Sequence, residues 1–323
     1  MLVDLVIDGN YVLNRLVFIL NKNNLLFGAL HRSLERSIES YSKRYPFANI
    51  YLVSDSKEAS WRKKLTKSYK STRKKSSDID WKFVYTAYGE VKEDLGKRIN
   101  VLEAPNVEGD DWISYIVEKS NKENRSVMIV SNDYDLKQLL KFDLSNNYLN
   151  FMTNEMSNKE KIFLPVNYKL VLNKVKNLPN DNIFELNDNS EFSSFLEKTL
   201  TKCDIHEVND KEELFLKLVS GDSSDNILSA WVEYKNGKKR GIGSKGAKKI
   251  YEYYLTEFGE LDLKDPDFFE NTADLICEVK KVPKLKLIDI VNNIKHNSKL
   301  IDLNVDNLPD DIVDKMNDKV LNI

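Results

Sequence analysis

Three stretches of this chain are apolar almost throughout, and each stops on an aspartate: Leu2–Ile7 before Asp8, Asn49–Ser54 before Asp55, and Val127–Asn132 before Asp133. Runs of this length, rich in Val, Ile and Leu, predict strands buried on both faces of a parallel sheet. Such sheets bind ligands outside the carboxyl ends of their strands, so three strands that each deliver a carboxylate predict one acidic pocket. Around them, helical and strand spacing alternate: a strand over 2–8, a helix near 27–43, a strand over 49–55, a short strand at 99–103, a helix from about Asp110 to Lys122, a strand over 127–132 and a short helix at 134–141. The alternation predicts an α/β unit of the doubly wound type, with a mostly parallel central sheet and flanking helices.

Beyond residue 144 the pattern loosens. Asn and Asp become frequent and Pro165 and Pro179 punctuate the chain, leaving a hairpin near 147–164 and a helix near 190–201. The last third carries helical spacing at about 211–220, 244–258, 272–280 and 284–296, and the final twenty residues are acidic, ending in a short helix or a frayed tail. The expected division is an α/β domain over 1–205 and a helical C-terminal domain over 206–323.

A length of 323 residues suffices for two domains, and a hydrophobic content of 41% is that of a folded chain. No apolar run reaches the roughly 20 residues of a membrane span. A strand starting at Leu2 leaves no signal peptide, and Cys203 and Cys277 have neither zinc spacing nor a disulfide framework, so a reduced, cytoplasmic compartment fits. His31, His206 and His296 are scattered and suggest no site. The net charge of −2 hides a segregation: Lys57–Lys75 holds nine basic residues and one acid, Lys235–Lys249 holds seven and none, and the rest sums to −17. Basic patches on an acidic body suggest a polyanion gripped at defined places.

The carboxylates carry the chemistry. Asp8-Gly9-Asn10 closes the first strand, the glycine allowing a tight exit. Glu108-Gly109-Asp110-Asp111 opens a helix, where free N–H groups favour carboxylates. Asp133 and Asp135, two apart, face the same way if the strand end stays extended. In Gly221-Asp222-Ser223-Ser224-Asp225-Asn226, Asp222 and Asp225 share a face if the segment is helical. Singly, each reads as a cap or a turn residue; their joint occurrence does not. Gathered carboxylates need protons or cations at pH 7, and hard divalent ions such as Mg²⁺ take oxygen ligands. Two such ions about 3.5–4 Å apart are a recurring solution for phosphodiester hydrolysis.

Directly after Asp55 come Trp61-Arg62-Lys63-Lys64 and Tyr69 to Lys75, cations that can neutralise phosphates beside aromatics that can stack on bases or, for Trp61 above all, pack. Gly241-Ile242-Gly243-Ser244-Lys245-Gly246 matches the dinucleotide fingerprint in letters, but a basic turn, Lys235–Arg240, stands where that fingerprint needs a strand. It reads better as a glycine turn at a helix N-terminus, whose bare N–H groups can bind a backbone phosphate.

In this order, from residue 2 to about 256, the motifs resemble those of the 5′-nuclease superfamily, the flap endonucleases and 5′→3′ exonucleases of bacteria and phages. Asp8-Gly9-Asn10 resembles the first-strand motif. Asp55 with Trp61-Arg62-Lys63 and Tyr69 to Arg73 resembles the second acid and the base of the helical arch. Glu108 to Asp111 resembles E-x-D-D, Asp133-Tyr134-Asp135 resembles D-x-D, Gly221 to Asn226 resembles G-D-x-x-D-N, and Gly241 to Ala247 resembles the helix–hairpin–helix turn. Relatives join the last two within a few residues through a Pro-Gly; here Leu228–Arg240 intervenes. The ribonuclease H of T-even phages also has an altered connection at this place, which makes it the nearest type.

The resemblance implies a PIN-like α/β nuclease domain with an arch over 57–98, and a C-terminal helix–hairpin–helix-type grip on duplex. It implies that Asp8, Asp55, Glu108, Asp110 and Asp133 hold a first metal directly or through water. Asp135, Asp222 and Asp225 would serve a second, with Asp111 supporting the pocket. Lys70 and Arg73 would meet the scissile phosphate. Arg62, Lys63, Tyr69, Lys74 and Lys75, and Gly241, Gly243, Ser244, Lys245 and Lys248, would bind nucleic acid. The implied cofactors are two Mg²⁺, replaceable by Mn²⁺, with a monovalent cation such as K⁺ at the glycine turn. The implied substrates are DNA and RNA–DNA duplexes with 5′ ends or flaps, cut to leave 5′-phosphates. A monomer working with a sliding clamp and a single-strand-binding protein in a phage-infected bacterial cytoplasm would fit. A toxin-type single-strand ribonuclease would account for Asp8, Glu108 and Asp133 but not the glycine turn. A non-catalytic DNA-structure binder should have lost carboxylates, and none is missing.

Overall fold

The computed structural model describes residues 2–74, 76–143, 145–146, 148–156, 159–170, 192 and 194–321. The chain forms two compact units. One comprises Met1–Trp61, Lys75–Val208 and Leu303–Ile323; the other comprises Arg62–Lys74 and Asn209–Asp302. The units divide at 208, and two segments group apart from their neighbours in sequence. Residues 303–323 return to the α/β unit, and 62–74 belong to the helical one.

The first unit is built on β1 (Val3–Asp8), which lies between β2 (Ile50–Val53) and β4 (Ser126–Val130) and runs parallel to both. β3 (Asn100–Leu102) continues the sheet beyond β2, also parallel. On the other side, β6 (Tyr148–Met156) runs parallel to β4 and also pairs with the short β5 (Phe142–Asp143). β7 (Lys159–Pro165) returns antiparallel, forming the expected hairpin, and β8 (Asp204–Val208) closes the order β3-β2-β1-β4-β6-β7-β8. The chain thus fills β1 to β3 on one side and then crosses to β4 on the other. The switch point falls between β1 and β4.

Both faces of β1 are buried, and alternation sorts its side chains. Val3, Leu5 and Ile7 join a core with α1 (Gly9–Lys22), α2 (Leu26–Ser42) and α4 (Trp81–Leu95), while Val6 joins a second core with α5 (Gly109–Lys122). The sequence reading left α1 unassigned. Phe18 and Ile19, both about half exposed, extend its apolar run around the helix and blur the stripe of Val12, Leu13, Val17 and Leu20. It also placed 81–95 in the arch. Val84, Ala87, Tyr88, Val91 and Leu95 instead bury one face of α4 in the sheet core, so this part of the arch expectation is corrected. The last helix, α10 (Asp310–Leu321), is no frayed tail: Ile312 and Met316 are fully buried against the α5 side of the sheet. Leu303 N–H donates to Gln138 Oε1 at 2.9 Å, and Tyr115 Oη lies 2.6 Å from Asn317 Oδ1.

The second unit packs α6 (Asp210–Ser220), α7 (Ser244–Phe258), α8 (Phe268–Lys280) and α9 (Leu287–Ile301) around Phe215, Leu218, Ile250, Tyr254, Phe268, Ile276, Ile290 and Ile294. The short α3 (Arg62–Leu65) belongs here. Between α6 and α7 stands a two-stranded hairpin, β9 (Val232–Lys235) and β10 (Lys238–Gly241), where the sequence reading saw only a basic turn. Among the described residues no helix is long and apolar enough to cross a membrane.

Candidate active site

Register fixes where the strand-end carboxylates stand. Asp8 pairs with Val53 and Ile7 with Val130, so Asp55 and Asp133 follow their strands just beyond Asp8 on either side. Each of the three turns its carboxylate on a helix start. Asp8 Oδ1 accepts Tyr11 N–H (3.0 Å), capping α1. Asp55 Oδ1 accepts Gly109 N–H (2.7 Å) at the head of α5. Asp133 Oδ1 accepts Asp135 N–H (2.9 Å), capping a 3₁₀ turn over Tyr134–Leu139. The chain leaves β4 by turning at once, so the expectation that Asp133 and Asp135 flank an extended strand end is corrected. Asp135 is a first-turn residue whose own amide is held by Asp133.

Ser131, which sequence reasoning passed over, ties the two sides of the switch point together. Its Oγ donates to Asp8 Oδ2 (2.7 Å) and accepts Asp133 N–H (3.0 Å). A hydroxyl placed directly after a buried strand and two residues before an acid was the available signal. Gly9 is required by crowding rather than by its φ: a Cβ there would lie 1.9 Å from Tyr88 Oη and 2.8 Å from the Val53 carbonyl. Tyr88 Oη in turn meets Ser54 Oγ at 2.6 Å in a buried contact.

Burial pushes the Asp8 carboxyl up to about 6; the negative charges of Asp55 and Asp133 add to the rise, and the hydrogen bonds from Ser131 and Tyr11 oppose it. The like charges of Asp55 and Asp133 are thus near enough to be felt at Asp8. Glu108 and Asp111 form a capping box on α5: Asp111 Oδ2 accepts Glu108 N–H (3.0 Å) and also Trp61 Nε1–H (3.0 Å). Asp111 is fully buried, so it acts as a positioning residue, and Trp61 is the packing anchor. Asp110 stands in the first turn of α5, half-buried. The donors at this strand end are all carboxylate oxygens, which suit hard divalent cations such as Mg²⁺ or Mn²⁺ rather than soft metals. The side chains are nevertheless spread over separate caps. Among the described residues no three His, Cys, Asp or Glu form a group set to hold an ion.

The remaining predicted residues lie in the helical unit. Asp222 and Asp225 sit in a turn closed by a bridge between Asp222 and Ile227, not on a helical face as supposed. Gly221 opens it at φ +71°, where a Cβ would fall 2.4 Å from the Leu228 carbonyl carbon. At Asp222 burial would raise the carboxyl, but Lys217 Nζ (2.7 Å) and Ser224 N–H and Oγ (2.7 and 2.6 Å) outweigh it, holding it at about 2. The basic segment docks on the same turn. Lys70, at φ +53°, donates its N–H to the Asp225 carbonyl (2.9 Å), and its Nζ lies 3.8 Å from Asp225 Oδ2. Arg73 pairs with Asp225 Oδ1, and Asn226 Nδ2 reaches the Ser68 carbonyl at 3.0 Å.

Two nucleic-acid assignments are corrected by burial. Arg62 is 2% exposed with Nε on the Leu300 carbonyl (3.0 Å), and Tyr69 is 3% exposed in the core of the unit. Lys63, Lys74, Gly243, Ser244 and Lys245 are exposed, Lys248 pairs with Glu212 (2.9 Å), and Lys75 lies outside the described residues. Gly241 is pressed on Ser229, and Gly243 forms the N-cap of α7.

Residues 4–167 match the family model described as 5′-3′ exonuclease, N-terminal resolvase-like domain. A 5′-3′ exonuclease of Mycoplasmopsis pulmonis (strain UAB CTIP) is 27% identical over 277 residues, which are 86% of this chain and 73% of that one. One from Buchnera aphidicola subsp. Baizongia pistaciae is 32% identical over 140 residues, 42% of this chain and 45% of its own. Among solved structures, the T5 D15 protein co-crystallised with metal ions superposes with a TM-score of 0.62 at 17% identity, covering 99% of this chain and 98% of that one. The bacteriophage T5 D15 flap endonuclease in a pseudo-enzyme–product complex with DNA and metal ions gives 0.60 at 17%, covering 99% and 98%. At that identity the likeness is one of fold.

Proposed function

Because this chain belongs to the 5′-3′ exonuclease family, we propose that it is a divalent-metal-dependent 5′-nuclease that hydrolyses phosphodiesters at 5′ ends or flaps of duplex DNA. The observation that carries the reading is that Asp8, Asp55 and Asp133 stand at the carboxyl ends of three adjacent parallel strands beside the sheet's switch point, with Ser131 bridging two of them. Asp8, Asp55, Glu108, Asp110 and Asp133 would hold the first ion, Mg²⁺ being the choice for oxygen donors and Mn²⁺ the substitute. Asp135, Asp222 and Asp225 are assigned to a second by the resemblance. When bound, such ions supply an activated water and charge stabilisation at the phosphate. The chain's own part is positional. The caps on α1, α5 and the 3₁₀ turn hold one oxygen of each strand-end aspartate in place, and Asp111 fixes the head of α5 through Glu108 and Trp61. Lys70 and Arg73 would neutralise the scissile phosphate, and the glycine turn at Gly241–Gly246 would grip duplex in the manner of a helix–hairpin–helix, with K⁺ as a fitting occupant. Removal of RNA primers or 5′ flaps in phage-type replication is the role this activity would serve, alongside a sliding clamp and single-strand-binding protein.

The test is cleavage of a 5′-end-labelled flap on a nicked duplex with Mg²⁺ and with EDTA. Metal-dependent release of the intact flap supports an endonuclease, and release of short 5′ products supports an exonuclease using the same site. Absence of metal-dependent cleavage with duplex binding retained would overturn the proposal in favour of a structure-binding protein.

A further inference from the structure

The hairpin β9–β10 has no part in the site described above, yet it is built with care at one end and left bare at the other. At its base, Gly241 approaches Ser229 so closely that a Cβ would lie 2.8 Å from the serine Cβ. Ser229 Oγ accepts Ile242 N–H (2.9 Å) and reaches the carbonyl oxygens of Val219 (3.1 Å) and Trp231 (3.0 Å). Asn293 Nδ2 holds the Ala230 carbonyl at 3.0 Å. The strands are therefore clamped to α6 and α9. The tip is Asn236-Gly237, at φ +52° and +72°, the pair of positive values a type I′ turn needs.

Beyond the clamp every described side chain from Glu233 to Arg240 is exposed. Tyr234 is 76% exposed. Register puts Lys239 directly opposite Tyr234 and Arg240 opposite Glu233, with Lys238 next to the turn. Lys238, Lys239 and Arg240 make no ion pair with any described residue, unlike Lys211, Lys217 and Lys248 of the same unit. Three consecutive cations that no described acid pairs, with a phenol opposite the middle one, complement the phosphates of a duplex.

We propose that this hairpin is a second nucleic-acid contact that lies in a groove of duplex DNA: Lys239 and Tyr234 share one face of the ribbon and Lys238 and Arg240 the other, so Lys239 and the Tyr234 hydroxyl meet the phosphates of one strand and Lys238 and Arg240 those of the other. It rests on the nuclease reading only for the choice of DNA, and extends the grip beyond the glycine turn. The experiment measures duplex affinity by anisotropy, with EDTA present, from about 50 to 200 mM salt, comparing wild type with Lys238→Ala/Lys239→Ala/Arg240→Ala and with Tyr234→Phe. Each lost phosphate contact removes about 0.9 from the slope of log K against log salt. The triple variant should lose two to three such units and bind about tenfold or more weakly, while melting like wild type. Tyr234→Phe should weaken binding by about threefold with the slope unchanged. A triple variant with wild-type slope and affinity overturns the proposal, as does a loss confined to single-stranded oligonucleotides. Metal-dependent flap cleavage is scored separately. If wild type fails to cleave but the slope still falls, the nuclease reading is lost and the hairpin contact stands; the converse result keeps the nuclease and removes the contact.

Discussion

At the scale of single residues, the acids read from sequence divide by what they touch. Asp8, Asp55 and Asp133 were legible because each ends a buried strand. Asp111, in the same motif as Glu108, is instead sealed under Trp61, a distinction that depends on a contact fifty residues away in sequence. Asp4 was invisible for the same reason. It interrupts an apolar strand and is fully buried, bound by Asn49 Nδ2 (2.9 Å), Ser120 Oγ (2.7 Å) and Arg125 Nε (2.8 Å). Asp4→Ala removes the acceptor of Arg125 Nε, leaving that guanidinium only its pairing with Glu123, and should cost about 3 kcal/mol in a denaturant titration; an unchanged midpoint would show that Glu123 and water suffice for Arg125. Lys70 combines a proposed catalytic charge with left-handed backbone. Lys70→Ala should slow cleavage by roughly 10²-fold while duplex affinity barely moves. Lys70→Gly should be as slow yet more stable than Lys70→Ala by about 1 kcal/mol, since only glycine adopts that φ without strain. Equal stabilities of the two variants would mean that the segment rearranges.

At the scale of elements, legibility followed periodicity and failed where periodicity was masked. The buried runs forming β1, β2 and β4 and the apolar stripes of α2 and α5 were plain. α1 was hidden by its exposed Phe18 and Ile19. The β9–β10 hairpin was hidden by its charge, although Asn236-Gly237 is a strong turn signal. α10 shows the limit of local reading. Its helical spacing is weak but detectable; its place against Trp112 and Ile113 of the α/β unit is a non-local fact. Ending the chain after Asp302 should therefore lower the melting temperature and expose dye-binding apolar surface, because Ile312 and Met316 no longer cover that core. A truncated chain melting like the full one would return 303–323 to the status of a tail. Asp111→Ala, which undoes the capping box and the Trp61 anchor together, should cost about 2 kcal/mol, read from the same titration.

At the scale of the whole molecule, one arrangement accounts for the unequal charge. A body carrying −17 outside two basic windows would repel a polyanion everywhere except where cations are concentrated. The acidic strand ends would repel it most, until divalent ions reverse their sign. The account's central claim is that these strand-end carboxylates form the cleavage centre. It is tested most directly by the rate of 5′-flap cleavage against Mg²⁺ concentration for wild type and Asp133→Asn. Asparagine keeps the cap on the 3₁₀ turn and removes only the charge, so the fold is preserved and any change reports on chemistry. The account predicts that wild type cleaves only with metal and that Asp133→Asn is slower by more than ~10²-fold at every Mg²⁺ concentration with duplex affinity retained. Wild-type rates in Asp133→Asn would contradict it and move the active site elsewhere.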